Sequence, residues 1–213
     1  FIYASTATIY GLTQEFPVSE DQVPSPMTCY DTNKLSAEKK LIMASRENLI
    51  ESVSLRLANV YGPSKNESSS IDRGILSKIT RQGFENKSIK IYGSGNYLRD
   101  YIYIDDVVKA FLYASVFDYS KIKKDSKIIF NVASGEGTSI KNVFGLIANE
   151  IEQITGFNIE IENVSWPAGI SEIEKRSFIG SAERLKSYTS WNSKISIEDG
   201  ICMLVNHLSK DYL

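Results

Sequence analysis

The sequence predicts an α/β protein built around a parallel sheet. Strand-like and helix-like segments alternate along the 213 residues, and such alternation is typical of βα units with parallel strands. Residues 1–5 form a short apolar run that ends in hydroxyl side chains, which suits a buried parallel strand whose carboxyl end opens on a site. Hydrophobic residues make up 42% of the chain and charged residues 23%, so the composition favours a folded domain over a disordered one.

The individual elements follow from apolar periodicity and from capping or breaking residues. Residues 11–28 carry prolines among polar residues and are predicted to form a loop. The segment from Thr28 to about Leu49 has helical spacing, and Thr28 or Asp31 can cap its start. Further strands are predicted at 52–57, 89–92, 101–104, 127–132 and 159–164, helices at 71–82, 105–117, 138–154, 181–188 and 196–208, and a polar, serine-rich loop at 64–70.

Charge and composition exclude several classes of function. The net charge of −2 includes no basic excess that would favour nucleic acid. No apolar stretch approaches the roughly 20 residues of a membrane span, and no basic and apolar leader opens the chain. Cys29 and Cys202 are far apart, which favours a reducing compartment, and we expect a cytoplasmic protein. The single histidine, His207, has no second histidine or cysteine near it in the sequence, so no metal site is expected.

Tyr30 and Lys34 form the pair of residues with the most evident chemistry. They lie four residues apart, so on a helix their side chains share one face. A phenol is a poor base at neutral pH, but a nearby cation favours its phenolate form. Such a pair can remove a hydroxyl proton while hydride leaves the adjacent carbon. The same spacing also occurs in many helices in which the tyrosine packs and the lysine is solvated, so the surrounding sequence must decide.

Further motifs accompany this pair in a fixed order. They are Ala4-Ser5-Thr6-Ala7-Thr8-Ile9-Tyr10-Gly11, then Ser19-Glu20 with Pro24 and Pro26, Arg56-Leu57-Ala58-Asn59-Val60-Tyr61-Gly62-Pro63, Gly93-Ser94-Gly95 with Arg99-Asp100-Tyr101, Asn131-Val132-Ala133-Ser134-Gly135, and Trp191 before Ile195-Ser196-Ile197-Glu198-Asp199-Gly200. In this order they resemble the extended short-chain dehydrogenase/reductase family, which contains the sugar-nucleotide epimerases and dehydratases. The resemblance covers residues 1 to about 201.

The resemblance implies a Rossmann-type doubly wound parallel sheet, of which this chain holds the C-terminal part, with a smaller α/β substrate-binding domain. Residues 1–62 are expected in the dinucleotide-binding domain, and residues 63–213 mainly in the substrate domain, with roughly 100–135 returning to the Rossmann sheet. The family's G-x-x-G-x-x-G loop is absent; it belongs to an N-terminal portion of roughly 100 residues, at ~30 per βαβ unit. We therefore expect this chain alone to be inactive or poorly folded, and tight binding of NAD by it would refute that.

The resemblance also assigns roles around the reacting carbon. Thr6 is expected to hydrogen-bond the reacting sugar oxygen beside Tyr30, and Ser5 takes that role if the register shifts by one residue. Lys34 donates to ribose hydroxyls of the cofactor as well as tuning the tyrosine. The expected cofactor is NAD, with NADP as the alternative, and its contacts include Ser5, Tyr30, Lys34, Leu57 and Ala58.

On the substrate side, the resemblance implies a nucleotide sugar. Asn59 reaches the phosphate or sugar region. Arg99 is expected to pair with the nucleotide's phosphates, which match the guanidinium fork, and its alternative is a surface charge beside Asp100. Arg176 is a weaker phosphate candidate, because residues 171–174 read Ser-Glu-Ile-Glu where the family often has Gly-Asp.

Two positions after Thr6 narrow the reaction. Family dehydratases carry Asp and Glu where this chain has Ala7 and Thr8, and neither side chain can serve as the acid or base of water elimination. The substrate-contacting segment Thr6, Ala7 and Thr8 looks more like that of the 4-epimerases. A 4-keto-sugar reductase is the nearest alternative, and a non-catalytic relative that keeps the fold is a third.

The likeness to this family also suggests a homodimer. Family members commonly dimerise through the helix that carries the Tyr-Lys pair. The apolar positions Leu41, Ile42 and Met43 on that helix are compatible with such an interface.

Overall fold

The computed structural model describes residues 1–63, 74–119 and 128–213. In chain order the strands are β1 (Ile2–Thr6), β2 (Val53–Leu57), β3 (Asn59–Tyr61), β4 (Ser88–Tyr92), β5 (Leu98–Arg99), β6 (Tyr101–Tyr103), β7 (Ile129–Val132), β8 (Thr138–Ser139) and β9 (Glu160–Val164). The helices are α1 (Cys29–Arg46), α2 (Ile75–Asn86), α3 (Ile104–Val116), α4 (Ile140–Thr155), α5 (Glu183–Tyr188) and α6 (Ile197–Ser209), with 3-10 helices at Ala7–Tyr10 and Glu172–Lys175. The predicted loop at 64–70 lies outside the described residues.

Strands β1, β2 and β7 form a three-stranded parallel sheet, in the order β1-β2-β7. Its register pairs Ser5 with Arg56 and Arg56 with Asn131. Because all three strands run in the same direction, their carboxyl ends meet at one edge, where ligands bind in open α/β sheets. The predicted parallel α/β architecture is therefore confirmed.

Helix α1 is fixed by its first turn. Thr28 is the N-cap: its hydroxyl accepts from the Asp31 backbone N–H at 3.1 Å, and the Asp31 carboxylate accepts from the Thr28 N–H at 3.1 Å. This reciprocal capping box satisfies two backbone donors at the helix start. The helix ends at Arg46, short of the predicted Leu49, and Asn48 adopts a left-handed φ of 57°.

The rest of the chain forms three smaller strand pairs. Strands β3 and β6 pair in parallel, β4 and β9 pair in parallel, and β5 and β8 pair antiparallel. Strands β3, β5 and β8 and both 3-10 helices were not predicted, because segments of two to four residues are too short to show a period.

Two main hydrophobic clusters support these elements. One joins α2, α4 and α6 with Ile89 and Ile91 of β4, and the other joins β2, β7 and α3 with the buried Trp191. The division into domains 1–62 and 63–213 stays a prediction; β7, which lies in the segment 100–135 expected to return to the Rossmann sheet, pairs with β2. None of the helices in the described part of the chain is long and apolar enough to cross a membrane.

Candidate active site

Thr6 lies at the carboxyl end of β1, where the chain turns into the first 3-10 helix. Its hydroxyl oxygen accepts from the Thr8 backbone N–H at 3.3 Å and lies 3.0 Å from the Thr8 hydroxyl. The Thr8 hydroxyl in turn donates to the carboxylate of Asp31 at the start of α1. The structure thus joins the end of β1 to the helix that carries Tyr30.

Tyr30 and Lys34 stand together at this edge. The Lys34 Nζ lies 5.7 Å from the centroid of the Tyr30 ring and donates to the Ala4 carbonyl of β1 at 2.9 Å. The Tyr30 side chain is 56% exposed, so its phenol is open to a ligand. Tyr10 differs: it is buried, burial raises its pKa to about 12, and its hydroxyl donates to Asn131 Oδ1 at 2.7 Å. Tyr30 is therefore the better placed of the two phenols to react.

Ser5 faces away from Thr6. Successive side chains of a strand point to opposite faces of the sheet, and the Ser5 hydroxyl donates to Glu38 Oε2 at 2.9 Å in a buried position. The Ser5 hydroxyl is thus engaged by Glu38, and the choice between Thr6 and Ser5 beside Tyr30 stays a prediction.

Glu38 and Arg56 form a buried ion pair on the Ser5 face of the sheet. The Arg56 Nε donates to Glu38 Oε2 at 3.1 Å and its Nη1 donates to the Tyr10 hydroxyl at 2.9 Å. Burial works against the charged form, but the hydrogen bond and the charge of Glu38 outweigh it and raise the pKa of Arg56. The pair holds α1 against β2. A cavity of about 760 Å³ borders both residues between α1 and α5, and it is not lined by Tyr30 or Thr6.

The segment after β2 passes the same edge. Leu57 and Ala58 are half-buried, and the Ala58 N–H donates to the Val132 carbonyl at 3.0 Å. The Asn59 side-chain amide donates to the Asp100 carbonyl at 3.0 Å, so the backbone of β5–β6 holds it in place.

Ala7 is buried in a small apolar cluster with Tyr10, Val18 and Phe178.

Arg99 is buried and has no carboxylate partner. Its Nη2 donates to the Glu174 carbonyl at 2.7 Å and its Nη1 to the carbonyls of Leu98 and Arg176. Within 1–63, 74–119 and 128–213, neither Arg99 nor Arg176 forms an ion pair. Burial and the charge of Arg176 lower the pKa of Arg99 to about 10. Glu174 acts on both guanidinium groups through its charge but forms no ion pair with either within the described residues.

The alternative interpretation of Arg99, a surface charge beside Asp100, is wrong. Asp100 is fully buried and accepts hydrogen bonds from the backbone N–H groups of Ser134, Gly135 and Gly180 at 2.8–3.0 Å. Its carboxylate therefore ties two turns together and leaves the neighbouring guanidinium unpaired.

Asp31 is the residue of this site that sequence reasoning missed. The sequence predicts a helix cap at Asp31, whereas its contact with Thr8 joins residues 23 positions apart. The available signal was an acidic residue directly after Tyr30. Among the residues that the structure describes, no three His, Cys, Asp or Glu side chains cluster as a metal ion would need, and His207 is exposed in the last turn of α6.

Known proteins resemble this chain in sequence along most of its length. The chain is 27% identical over 216 residues to a putative UDP-glucose 4-epimerase of Methanocaldococcus jannaschii, in a match that covers 99% of this chain and 63% of that protein. It is 28% identical over 212 residues to a dTDP-4-dehydro-6-deoxyglucose reductase of Escherichia coli, covering 97% of this chain and 60% of that protein. The chain thus spans about three fifths of the length of these relatives.

A solved structure and a family model agree with these matches. The UDP-glucose 4-epimerase of Thermotoga maritima, solved with UDP-glucose, superposes with a TM-score of 0.83 at 30% identity, over 99% of this chain and 63% of that one. The likeness confirms the Rossmann-type fold. The model of the NAD dependent epimerase/dehydratase family matches residues 1–133, which is more than half of the chain. The chain belongs to the NAD dependent epimerase/dehydratase family.

Proposed function

We propose that the protein that carries this chain epimerises a nucleotide-activated sugar, at C4, by transient removal of hydride, with Tyr30 as the base. The observation that carries this proposal is the Tyr30–Lys34 pair, with Nζ 5.7 Å from the ring centroid, on the helix that the Thr8–Asp31 hydrogen bond joins to the end of β1, where Thr6 lies. An exposed phenol, a neighbouring ammonium and a hydroxyl form a set that can accept and return a sugar hydroxyl proton.

The residues at this edge fit the nicotinamide end of NAD. Leu57 and Ala58 lie at the carboxyl end of β2, and Lys34 on α1 contacts β1 through the Ala4 carbonyl; the carboxyl ends of parallel strands are where open α/β sheets hold dinucleotides. NAD, when bound, supplies a hydride acceptor that gives the hydride back, and NADP is the alternative. The part of the chain described here offers hydrogen-bond donors to a ribose through Lys34, so cofactor binding is expected to weaken when that amine is removed.

Substrate binding is assigned to the two unpaired arginines and the segment after β1. Arg99 and Arg176 bind the diphosphate, since they lie near each other and neither forms an ion pair with a carboxylate in the described part of the chain. Asn59, Ala7 and Thr8 complete the sugar side with Thr6. The M. jannaschii and T. maritima proteins are named for UDP-glucose, which makes UDP-hexoses the first substrates to assay.

Reduction of a 4-keto sugar nucleotide is the second candidate. It needs the same Tyr30, Lys34 and Thr6, and the E. coli relative is named as such a reductase. Net consumption of NADPH with a keto sugar would favour it over epimerisation. Dehydration is disfavoured, because Ala7 and Thr8 carry no carboxyl group, and a non-catalytic relative would show neither activity.

Replacing the base tests the proposal. Tyr30→Phe in the complete protein is expected to lower kcat by about 10²- to 10⁴-fold, the usual contribution of general base catalysis. Product ratios from UDP-, dTDP- and GDP-hexoses, separated by chromatography, give the measurement. Tyr113→Phe is the matched control, because Tyr113 is a comparably exposed tyrosine (40%) on α3, outside the site. Equal activity of Tyr30→Phe and Tyr113→Phe would contradict the proposal.

The proposal also includes two properties of the whole protein, its oligomeric state and its location. We expect a homodimer through α1, on which Met43 is exposed while Leu41 and Ile42 are half-buried, and sedimentation velocity measures this directly. A cytoplasmic location is compatible with free cysteines at Cys29 and Cys202.

A further inference from the structure

Glu38 continues the face of α1 that carries the Tyr30–Lys34 pair. The three residues follow one another at intervals of four along the helix, and side chains at i, i+4 and i+8 share one helix face. Tyr30 is 56% exposed, whereas Glu38 is 1% exposed. The face that holds the proposed base at its open end therefore reaches, about two turns further on, into the interior of the protein.

The Glu38 carboxylate binds two neighbouring strands of the parallel sheet. Its Oε2 accepts from the Ser5 hydroxyl of β1 at 2.9 Å and from the Arg56 Nε of β2 at 3.1 Å, and its Oε1 accepts from the Arg56 Nη2. Ser5 directly precedes Thr6, the last residue of β1, and Arg56 is the last residue but one of β2. A single side chain of α1 therefore fixes the helix against two strand ends at the edge of the proposed site.

Arg56 extends this network past the far end of the segment 6–8, which is assigned to the sugar. Its Nη1 donates to the Tyr10 hydroxyl at 2.9 Å, and that hydroxyl donates to Asn131 Oδ1 on β7 at 2.7 Å. Tyr10 is the last residue of the 3-10 helix that follows β1. Glu38 thus holds the residue before the segment directly and the end of the 3-10 helix through Arg56.

The network is buried, which restricts it to one arrangement. Its members are each 3% exposed or less, namely Ser5, Tyr10, Glu38, Arg56 and Asn131. The hydrogen bond and the charge of Glu38 keep the pKa of Arg56 above its usual value despite burial, so the guanidinium stays charged. A shift of α1 on the sheet would leave a donor of this cation without its acceptor, and a buried unsatisfied polar group is costly. The network therefore resists displacement of the helix.

We propose that Glu38 is a positioning residue for the reaction. Through the buried network it sets the place of Tyr30 on α1 relative to the segment 6–8 at the end of β1. A general base must lie within hydrogen-bond reach of the proton that it removes, and a displacement of about 1 Å can lower a rate by about 10²-fold. The inference rests on the proposed function, because that function assigns Tyr30 and the segment 6–8 to the same sugar.

A double variant separates positioning from support of the fold. Replacing a buried ion pair by apolar side chains of similar size is often neutral for stability, so Glu38→Leu combined with Arg56→Met is expected to fold with a Tm close to that of the original protein. This variant nevertheless lacks the bonds to Ser5 and Tyr10. Its kcat is expected to fall by about 10²-fold with KM unchanged, because the arginines assigned to the diphosphate lie outside the network.

Both constants are measured on the complete protein with NAD bound, by following the conversion of UDP-glucose with chromatography, and thermal unfolding of the same samples gives Tm. Hydrogen exchange of the backbone amides is a second reading. The Gly11 N–H donates to the Thr8 carbonyl at 3.1 Å, and it is expected to exchange faster in the double variant, in which Tyr10 is no longer tied to residue 56. A network that only supports the fold would leave kcat and this exchange unchanged in a variant of restored stability.

Two single variants accompany the double variant. Asp106→Asn changes another buried carboxylate, on α3, and is expected to lower stability and leave kcat unchanged. Tyr10→Phe keeps the ring and cuts only the arm of the network that reaches the 3-10 helix. Its kcat is expected to fall by about tenfold, one hydrogen bond's worth, again with KM unchanged.

A double variant that is as stable as the original protein and keeps its kcat overturns the inference, and so does an equal fall of kcat in Asp106→Asn. If the double variant does not fold, Tyr10→Phe decides: a lowered kcat with an unchanged KM supports the inference, and an unchanged kcat overturns it. If the original protein converts no nucleotide sugar, the proposed function fails and the role of Glu38 fails with it. Conversion that the original protein and both network variants share equally removes the role of Glu38 alone.

Discussion

Two buried arginines of the molecule, Arg56 on β2 and Arg99 on β5, have opposite surroundings. Arg56 is 3% exposed and pairs with Glu38, and the pKa of its guanidinium is raised above the usual value. Arg99 is 7% exposed and, among the described residues, donates to backbone carbonyls alone, and its pKa falls to about 10. The neighbour of Arg56 is a carboxylate, whereas that of Arg99 is Arg176, a second cation.

The difference separates a structural charge from one kept for a ligand. A buried charge is costly to remove from water unless a partner compensates it. Arg56 has that partner inside the protein and so fixes α1, the helix of Tyr30 and Lys34, on β2. Arg99 lacks one, and an anion from outside would supply it. The comparison therefore predicts that these arginines control different properties, stability and binding.

The largest expected effect is on stability. Arg56→Met leaves the Glu38 carboxylate buried without its cation, and we expect the free energy of unfolding to fall by about 3–5 kcal/mol. Arg99→Met removes a cation that has no ion-pair partner among the described residues, and water can replace its bonds to the carbonyls of Glu174 and Arg176, so its effect is about 1 kcal/mol or less. Chemical denaturation of both variants measures the contrast.

A second substitution serves as the control for this result. Adding Glu38→Leu to Arg56→Met removes the stranded carboxylate, and an apolar pair is expected to recover most of the lost stability. Equal losses for Arg56→Met and Arg99→Met would break the comparison, because they would mean that a partner carboxylate makes no difference to a buried arginine.

The next effect is on ligand affinity. Arg99→Gln and Arg176→Gln are each expected to weaken UDP binding by about 10-fold or more, since each removes charge-assisted hydrogen bonds to a diphosphate. The affinity for UDP should also decline as the pH rises toward about 10, where Arg99 loses its proton. Isothermal titration gives the dissociation constants.

Arg184→Gln is the control for that series. Arg184 is partly exposed and pairs with Asp21 at 2.6 Å, so its removal should leave UDP affinity unchanged. Loss of affinity in Arg184→Gln equal to that in Arg99→Gln would point to a general charge effect and against a specific phosphate site.

The sequence predicted the parts of this site that lie close together along the chain. Tyr30 and Lys34 are one helical turn apart, and Thr28 capped the helix as its residue type suggests. The alternation of strands and helices was enough to predict the parallel sheet. These features depend on local spacing, which a single sequence contains.

Contacts between distant residues could not be predicted in the same way. The Thr8–Asp31 bond and the Arg56–Glu38 pair depend on how α1 sits on β1 and β2. The sequence likewise suggested that Arg99 could be a surface charge, because its burial comes from the later segment that supplies the carbonyls of Glu174 and Arg176. Packing between elements therefore decided which polar side chains are free.

The smallest effect that we expect is on the pH dependence of stability. It extends the comparison to two fully buried carboxylates, those of Asp106 and Asp100. Asp106 accepts from the N–H groups of Lys194 and Ile195 at 2.9 Å and pairs with Lys109 at 3.3 Å. Burial works against its charge, but these partners outweigh it and lower the pKa of Asp106. Asp100 also accepts several N–H bonds, yet burial without a cation partner in the described residues raises its pKa.

These opposite shifts give opposite pH dependences. The Asp106 charge stabilises the fold above the unfolded aspartate value of about 3.9, and this contribution is lost as the pH falls through the lower folded pKa. Asp106→Asn should therefore cost about 1–2 kcal/mol at neutral pH, with a gap to the original protein that narrows in acid. The raised folded pKa of Asp100 means that the fold favours its protonated carboxyl, and this contribution to stability is lost as the pH rises through that pKa. The difference in stability between Asp100→Asn and the original protein should therefore narrow as the pH rises from below about 3.9. Thermal unfolding of the original protein, Asp106→Asn and Asp100→Asn is measured across this pH range. If the stability differences of the two variants change with pH in the same direction, the ion pair with Lys109 does not set the two carboxylates apart.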